Sequence, residues 1–183
     1  MSLNICVDID GTITDSYAWI TYFNEYFNTN IKAEDMIKFD ICRIAEISEE
    51  EYEEFYVRKG NEMHSNAQPR EGAAISLRRL SEKNNIYYIT ARPERFKECT
   101  LTWLKENGFP EGEVYMLGSH DKDEKAVELK CDFFVEDRYR NARMISEKGI
   151  KVFLIDSNYN RYPLSNNIER VYGWEEIYSK INA

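Results

Sequence analysis

The sequence predicts an α/β protein: a three-layer sandwich built on a mostly parallel sheet, with a small helical insert after its first strand. Three observations carry this. From residue 86 onward, short apolar runs alternate with helical patterns, the signature of strand–helix–strand units. Between residues 16 and 66 no strand pattern is found. The first apolar run, residues 3–10, ends in Asp8 and Asp10 with Gly11 directly after, as a strand does at the edge of an open sheet.

The elements follow in order. Residues 3–10 form the first strand. Trp19, Phe23, Tyr26 and Phe27 then recur at helical spacing, with Asn28 and Asn30 near the stop. These rings read mainly as core between helices, with one or two facing a cleft. Residues 35–56 read as helical throughout, with Ser48 and Glu51 as a capping box and an acidic run behind them as a solvated face. Gln68-Pro69-Arg70 punctuates the chain, and residues 71–83 form a helix with Ala74, Leu77 and Leu80 on one side. Strands are expected at 86–90, 114–117, 132–136 and 150–155, with a short last strand at 170–172. Helices are expected at 93–107 with Pro93 at the first position, at 123–129, at 139–147 closed by Gly149, and at 174–181. This divides the chain into a core of residues 1–14 and 70–183 and a cap of residues 15–69.

Composition narrows the function. Hydrophobic residues make up 43% and charged residues 31%, ordinary for a globular domain, and 183 residues suffice for a real core. The net charge of −9 argues against a nucleic acid polymer as partner, because phosphate backbones need a basic surface. A small phosphate ester remains compatible, since a local site can oppose the global sign. No secretory signal and no membrane span are expected, so the chain reads as cytoplasmic. Cys6, Cys42, Cys99 and Cys131 show no metal-ligand spacing and read as buried free thiols. His64 and His120 each read as a surface or cap residue rather than a ligand or base.

The chemistry starts at the first strand end. Residues two apart on a strand point to one side, so Asp8 and Asp10 project together into the crevice. Two anions so close repel unless one is protonated or a cation intervenes. A hard divalent ion such as Mg²⁺, bound by oxygens and bridging to phosphate, is the natural partner.

The run Asp8-Ile9-Asp10-Gly11-Thr12 resembles the first motif of the haloacid dehalogenase superfamily, whose fold is Rossmann-like and whose members are mostly Mg²⁺-dependent phosphohydrolases. Three later segments match the family's order. Residues 86–90, Ile-Tyr-Tyr-Ile-Thr, resemble the second motif. Lys122 and Lys125 both lie where the third motif has its lysine, and the spacing to the next acids favours Lys125. Phe133-Phe134-Val135-Glu136-Asp137 resembles the fourth motif. The resemblance implies Asp8 as nucleophile, Asp10 as general acid and then base, and Thr90 and Lys125 on the phosphoryl oxygens. It implies a metal held by Asp8, Asp137 and the Asp10 carbonyl. Glu136 replaces the aspartate often found there, and Asn141 could hold a metal-bound water. Arg92, which follows the second motif at a helix start, could clamp phosphate or simply flank that helix.

The size of the insert, the Asp10-Gly-Thr-Ile-Thr-Asp15 run and the aromatic first insert helix look like the 5′(3′)-deoxyribonucleotidase branch. That likeness implies a nucleoside monophosphate as substrate, with its base against Tyr17, Trp19 and Tyr22. Ser16 stands where many of those enzymes place a ring. The rival readings are another small-molecule phosphatase of the same superfamily, a phosphoacceptor signalling domain, and a binding module that kept the fold and lost the activity. The signalling reading fits poorly, because here the lysine precedes the last acid pair.

Overall fold

The computed structural model describes residues 2–38, 40–119, 121–165 and 167–182. His120 lies outside them. Among the described residues six strands form one parallel sheet: β1 (Asn4–Val7), β2 (Asn85–Thr90), β3 (Glu113–Met116), β4 (Phe133–Glu136), β5 (Lys151–Ile155) and β6 (Ile168–Val171). Their spatial order is β3-β2-β1-β4-β5-β6, and every pairing is parallel. The expected sheet is therefore entirely rather than mostly parallel.

Period-two alternation sorts each strand between two layers. Ile5 and Val7, Tyr88, Val135, Phe153 and Ile155 pack under α4 (Ala73–Ser81), α5 (Lys97–Glu106) and α8 (Trp174–Ile181). Cys6, Ile89, Phe134, Val152 and Leu154 pack under α6 (Asp123–Glu128) and α7 (Tyr139–Glu147). Both faces are covered, which is why the strands read as near-continuous apolar runs. Cys6 and Cys131 are buried as expected, whereas Cys42 and Cys99 are only half-buried.

The insert carries α1 (Trp19–Phe27), α2 (Ile41–Ala45) and α3 (Glu49–Ser65). Residues 35–56 are not one helix. Asp40 caps α2, Glu46 turns to φ 55° at its end, and the Ser48–Glu51 capping box starts α3 afresh. Phe23, Phe55 and Met63 form the insert's own core, with the Phe27 ring tilted against Phe23 and the Tyr26 ring edge-on to Phe55. The outgoing and returning chains cross side by side: Asp15 N–H donates to Gln68 O, and Arg70 N–H to Ile13 O.

Close packing seats the insert on the sheet layers. A Cβ at Gly60 of α3 would stand 2.5 Å from Phe96 Cζ, so α3 approaches only because that residue has no side chain. Two buried tryptophans also tie the layers to the site. Trp103 Nε1 donates to Ala67 O and Trp174 Nε1 to Thr12 O. No helix among the described residues is long and apolar enough to cross a membrane.

Candidate active site

The chain leaves β1 for β2 and β3 on one side, then returns to β4 on the other. The strand order reverses at β1, and the crevice at its carboxyl end is where open α/β sheets bind ligands. Asp8 follows β1, while Glu136 ends β4 and Asp137 follows it. The three carboxylates are buried and offer oxygens that all lie within 4.8 Å of one another.

Lys122, which stands immediately before α6, closes this cluster. Its Nζ lies 2.5 Å from Asp8 Oδ1 and 2.9 Å from Glu136 Oε2, and its side chain is buried. Lys125 does not reach the site. One helical turn later, its Nζ pairs with Glu128 at 2.5 Å and sits over the Tyr115 ring. The expected lysine is thus displaced by three positions.

Glu136, which stands where an aspartate is often found, belongs to the cluster, and its oxygens are occupied. Oε1 accepts from the backbone N–H groups of Asp137 and Arg138, and Oε2 from Lys122 and Asn141 Nδ2. Glu136 therefore orients Lys122 toward Asp8. Asp137 is held by its neighbours: the Tyr159 hydroxyl donates to Oδ2, and Asn160 Nδ2 donates to the main-chain oxygen at 2.6 Å.

Electrostatics show what the cluster needs. Burial pushes the Asp8 carboxyl well above its ordinary range, and Glu136 adds to this against the pull of Lys122. Burial and then Glu136 push Asp137 up to about 7. Burial also raises Glu136, but Lys122 overrides it and holds that group low. Left to itself, the cluster relieves its repulsion by taking up protons. A divalent cation relieves it instead, and oxygen donors suit a hard ion. Asn141 adds a further oxygen. Its buried Oδ1 has no hydrogen-bond partner among the described residues.

Gly11 makes the approach of the two loops possible. Its φ is +78°, and a Cβ there would overlap Asp137 Oδ2 and crowd the Tyr159 hydroxyl. Gly11→Ala is expected to cost the site about 100-fold in activity, the scale of a group misplaced by about 1 Å, with the secondary structure unchanged by circular dichroism.

Asp10 takes a different course from Asp8. Its side chain, 48% exposed to the cavity, is gripped by Arg92: Nε donates to Oδ2 at 2.8 Å and Nη2 to Oδ1 at 2.6 Å. Burial alone raises Asp10, but Arg92 outweighs it and holds the carboxyl well below the usual carboxylate range. Arg92 is thus engaged by protein rather than free to clamp phosphate. Thr90 is fully buried, and its hydroxyl accepts from Arg92 N–H; Ala91 and Arg92, not Thr90, border the cavity.

His64 was not legible as a site residue. It lies near the end of α3, where it is buried, with Nδ1 3.7 Å from Asp10 Oδ1 and Nε2 2.9 Å from the Tyr56 hydroxyl. Burial, then Arg92, push its pKa down to about 3, so the ring is neutral. The unfolded chain takes up this proton below about pH 6.5 and the folded chain does not, so acid erodes stability between those values. Between pH 7.5 and pH 5 the native protein should lose about 2 kcal/mol more than a His64→Gln variant, measured by denaturant unfolding at both pH values.

A cavity of about 350 Å³ opens from this cluster into the insert. Trp19 and Tyr22 line it, as expected. Tyr17 does not; its hydroxyl accepts from Asn158 N–H and its ring packs edge-on to Tyr159. Tyr52 and Tyr56 line it instead, brought in by α3. Ser16 is folded into the loop, where its hydroxyl accepts from Arg70 Nη2 and donates to Gly11 O.

Residues 2–183 match the family model described as 5′ nucleotidase, deoxy (pyrimidine), cytosolic type C protein. A nucleotidase of Clostridium acetobutylicum is 42% identical over 180 residues, covering 98% of this chain and 94% of that one. A 5′(3′)-deoxyribonucleotidase of Bacillus subtilis is 26% identical over 183 residues, covering 97% of each chain. Among solved structures, the haloacid dehalogenase-like hydrolase SP0104 of Streptococcus pneumoniae superposes with a TM-score of 0.67 at 15% identity, covering 98% of both chains. Bacillus subtilis YfnB, of the same haloacid dehalogenase type and solved bound to magnesium, superposes with a TM-score of 0.68 at 15% identity, covering 100% of this chain and 99% of its own.

Proposed function

The chain belongs to the 5′ nucleotidase family, deoxy (pyrimidine), cytosolic type C, and on that premise we propose that it is a Mg²⁺-dependent phosphomonoesterase acting on (deoxy)nucleoside 5′-monophosphates. The observation that carries this reading is the buried Asp8–Glu136–Asp137 cluster closed by Lys122 at the floor of an aromatic-walled cavity.

Asp8 and Asp137 would hold the metal, with the Asp10 carbonyl as the third protein oxygen and Asn141 Oδ1 available to a bound water. When bound, Mg²⁺ supplies the positive charge that lets an anionic nucleophile approach an anionic phosphate. Asp8 forms a bond to phosphorus as the ester P–O bond breaks, while Asp10, an ionised carboxylate beside Arg92 in the free protein, receives the proton carried in by the phosphate monoanion and gives it to the departing oxygen. Water then attacks phosphorus, Asp10 takes up the water's proton, and Asp8 leaves as the free carboxylate with inorganic phosphate. Lys122 stabilises charge on Asp8 and on the transferring oxygens. Thr90 at the end of β2 supports the phosphate end through the main chain of Arg92.

Residues 15–69 serve as the cap, and Trp19, Tyr22, Tyr52 and Tyr56 give the base a stacking wall. The free cysteines suit a reducing, cytoplasmic setting. The test is a phosphate-release screen over deoxy- and ribonucleoside monophosphates and sugar phosphates, with Mg²⁺ or with a chelator. The expected result is release that requires Mg²⁺ and favours nucleotides by about tenfold or more in kcat/KM, the scale a lost pocket contact produces. Equal rates on sugar phosphates would remove the nucleotide assignment, and no release from any ester would remove the phosphatase one.

A further inference from the structure

Arg92 and Asp10 are placed unlike a ligand-binding arginine and its neighbour. The Arg92 side chain has no exposed surface, although it borders the cavity. Its guanidinium spends Nε and Nη2 on the two Asp10 oxygens and Nη1 on Thr100 Oγ1 at 3.0 Å. Thr100, on α5, is itself fully buried. The main chain of Arg92 is fixed as well: its N–H donates to Thr90 Oγ1 and its carbonyl accepts from Gly118 N–H at 3.3 Å. Asp10 sits on the loop after β1, and its carboxylate is what faces the cavity, with Arg92 behind it. A phosphoryl oxygen could reach the bonded edge of the guanidinium only by displacing Asp10. A bidentate arginine–carboxylate pair fixes the plane as well as the position of the carboxylate.

We propose that Arg92, braced by Thr100, is a positioning residue that aims the Asp10 carboxyl at the ester oxygen, and is not a ligand of the phosphoryl group. This rests on the assignment of Asp10 as proton donor. The pair leaves each Asp10 oxygen a lone pair turned away from the guanidinium, where the proton passed from the incoming phosphate to the ester oxygen can be received.

Leaving-group dependence tests this. p-Nitrophenol departs without needing a proton, whereas the 5′-oxygen of a nucleoside does need one. kcat/KM ends at the first irreversible step, the transfer of the phosphoryl group to Asp8, so it isolates the donor's contribution. Arg92→Met should lower kcat/KM for a nucleoside monophosphate by about 30-fold or more, within the range for general acid catalysis, and for p-nitrophenyl phosphate by about threefold or less. The competitive inhibition constant of inorganic phosphate should stay within about twofold. Thr100→Val, which keeps the shape and removes the hydroxyl, should shift both esters in the same pattern by a smaller factor. It carries the test if Arg92→Met fails to fold by circular dichroism.

Equal losses on both esters with weaker phosphate inhibition would make Arg92 a phosphate ligand and overturn the proposal. Unchanged kinetics on both would overturn it too. Asp10→Asn serves as the reference and should show the same leaving-group pattern. If it does not, or if the wild-type protein hydrolyses neither ester, the underlying assignment has failed, which is told apart from a failure confined to the Arg92 and Thr100 variants.

Discussion

Asp8→Asn should abolish phosphate release, by on the order of 10⁴-fold or more, while the protein stays folded and melts at the same temperature or higher. The amide keeps the shape of the carboxylate and removes its nucleophilic oxygen. The sign on stability follows from the site. Burial and Glu136 push the Asp8 carboxyl well above its ordinary range, so this charge is held against its own preference. Neutralising it relieves repulsion with Glu136 and Asp137, although the pairing with Lys122 at 2.5 Å is weakened. Thermal melts alongside single-turnover assays check both halves. Wild-type rates in the Asp8→Asn variant would remove the nucleophile assignment, and loss of its fold would remove the claim that Asp8 is kept for chemistry.

The second large effect separates two lysines three residues apart. Lys122→Met strips the cluster of the cation that touches both Asp8 and Glu136. Leaving buried carboxylates without their partner costs about 3–5 kcal/mol, which for a chain of this size lowers the melting temperature by roughly 10 °C. Turnover should fall about 10²–10³-fold, the scale on which a positioned charge acts in a water-poor site. Lys125→Met should change turnover by about twofold or less, since its partner Glu128 is an exposed residue on the same helix. Kinetics and melts of the two variants side by side decide it. The reverse ranking would return the role to Lys125.

Local pattern made the architecture readable. The apolar runs that became β2, β4 and β5 are buried on both faces, so they carry no polar interruptions and stand out against the helical stretches. α8 at Trp174–Ile181 coincides with its expected span. The capping box at Ser48 and Glu51 was legible, but the interruption before it was not, because a helical composition does not register a single left-handed residue. The break lies at Glu46, which adopts a left-handed φ of 55° that favours glycine or asparagine.

By itself the sequence determined the α/β class with its largely parallel sheet and the acids at the ends of two strands. Each of these follows from residue type and spacing within one short segment. Which of those side chains meet was decided only by the tertiary structure. Lys122 rather than Lys125 closes the cluster, because the residue entering α6 faces the switch point and the next turn faces away. Glu136 orients a lysine, Arg92 grips Asp10, and Tyr17 packs against Tyr159 while Tyr52, Tyr56 and His64 arrive from α3. The physical reason is common to all of these. A hydrogen bond or ion pair between segments tens of residues apart depends on side-chain direction after folding, and no single segment encodes that direction.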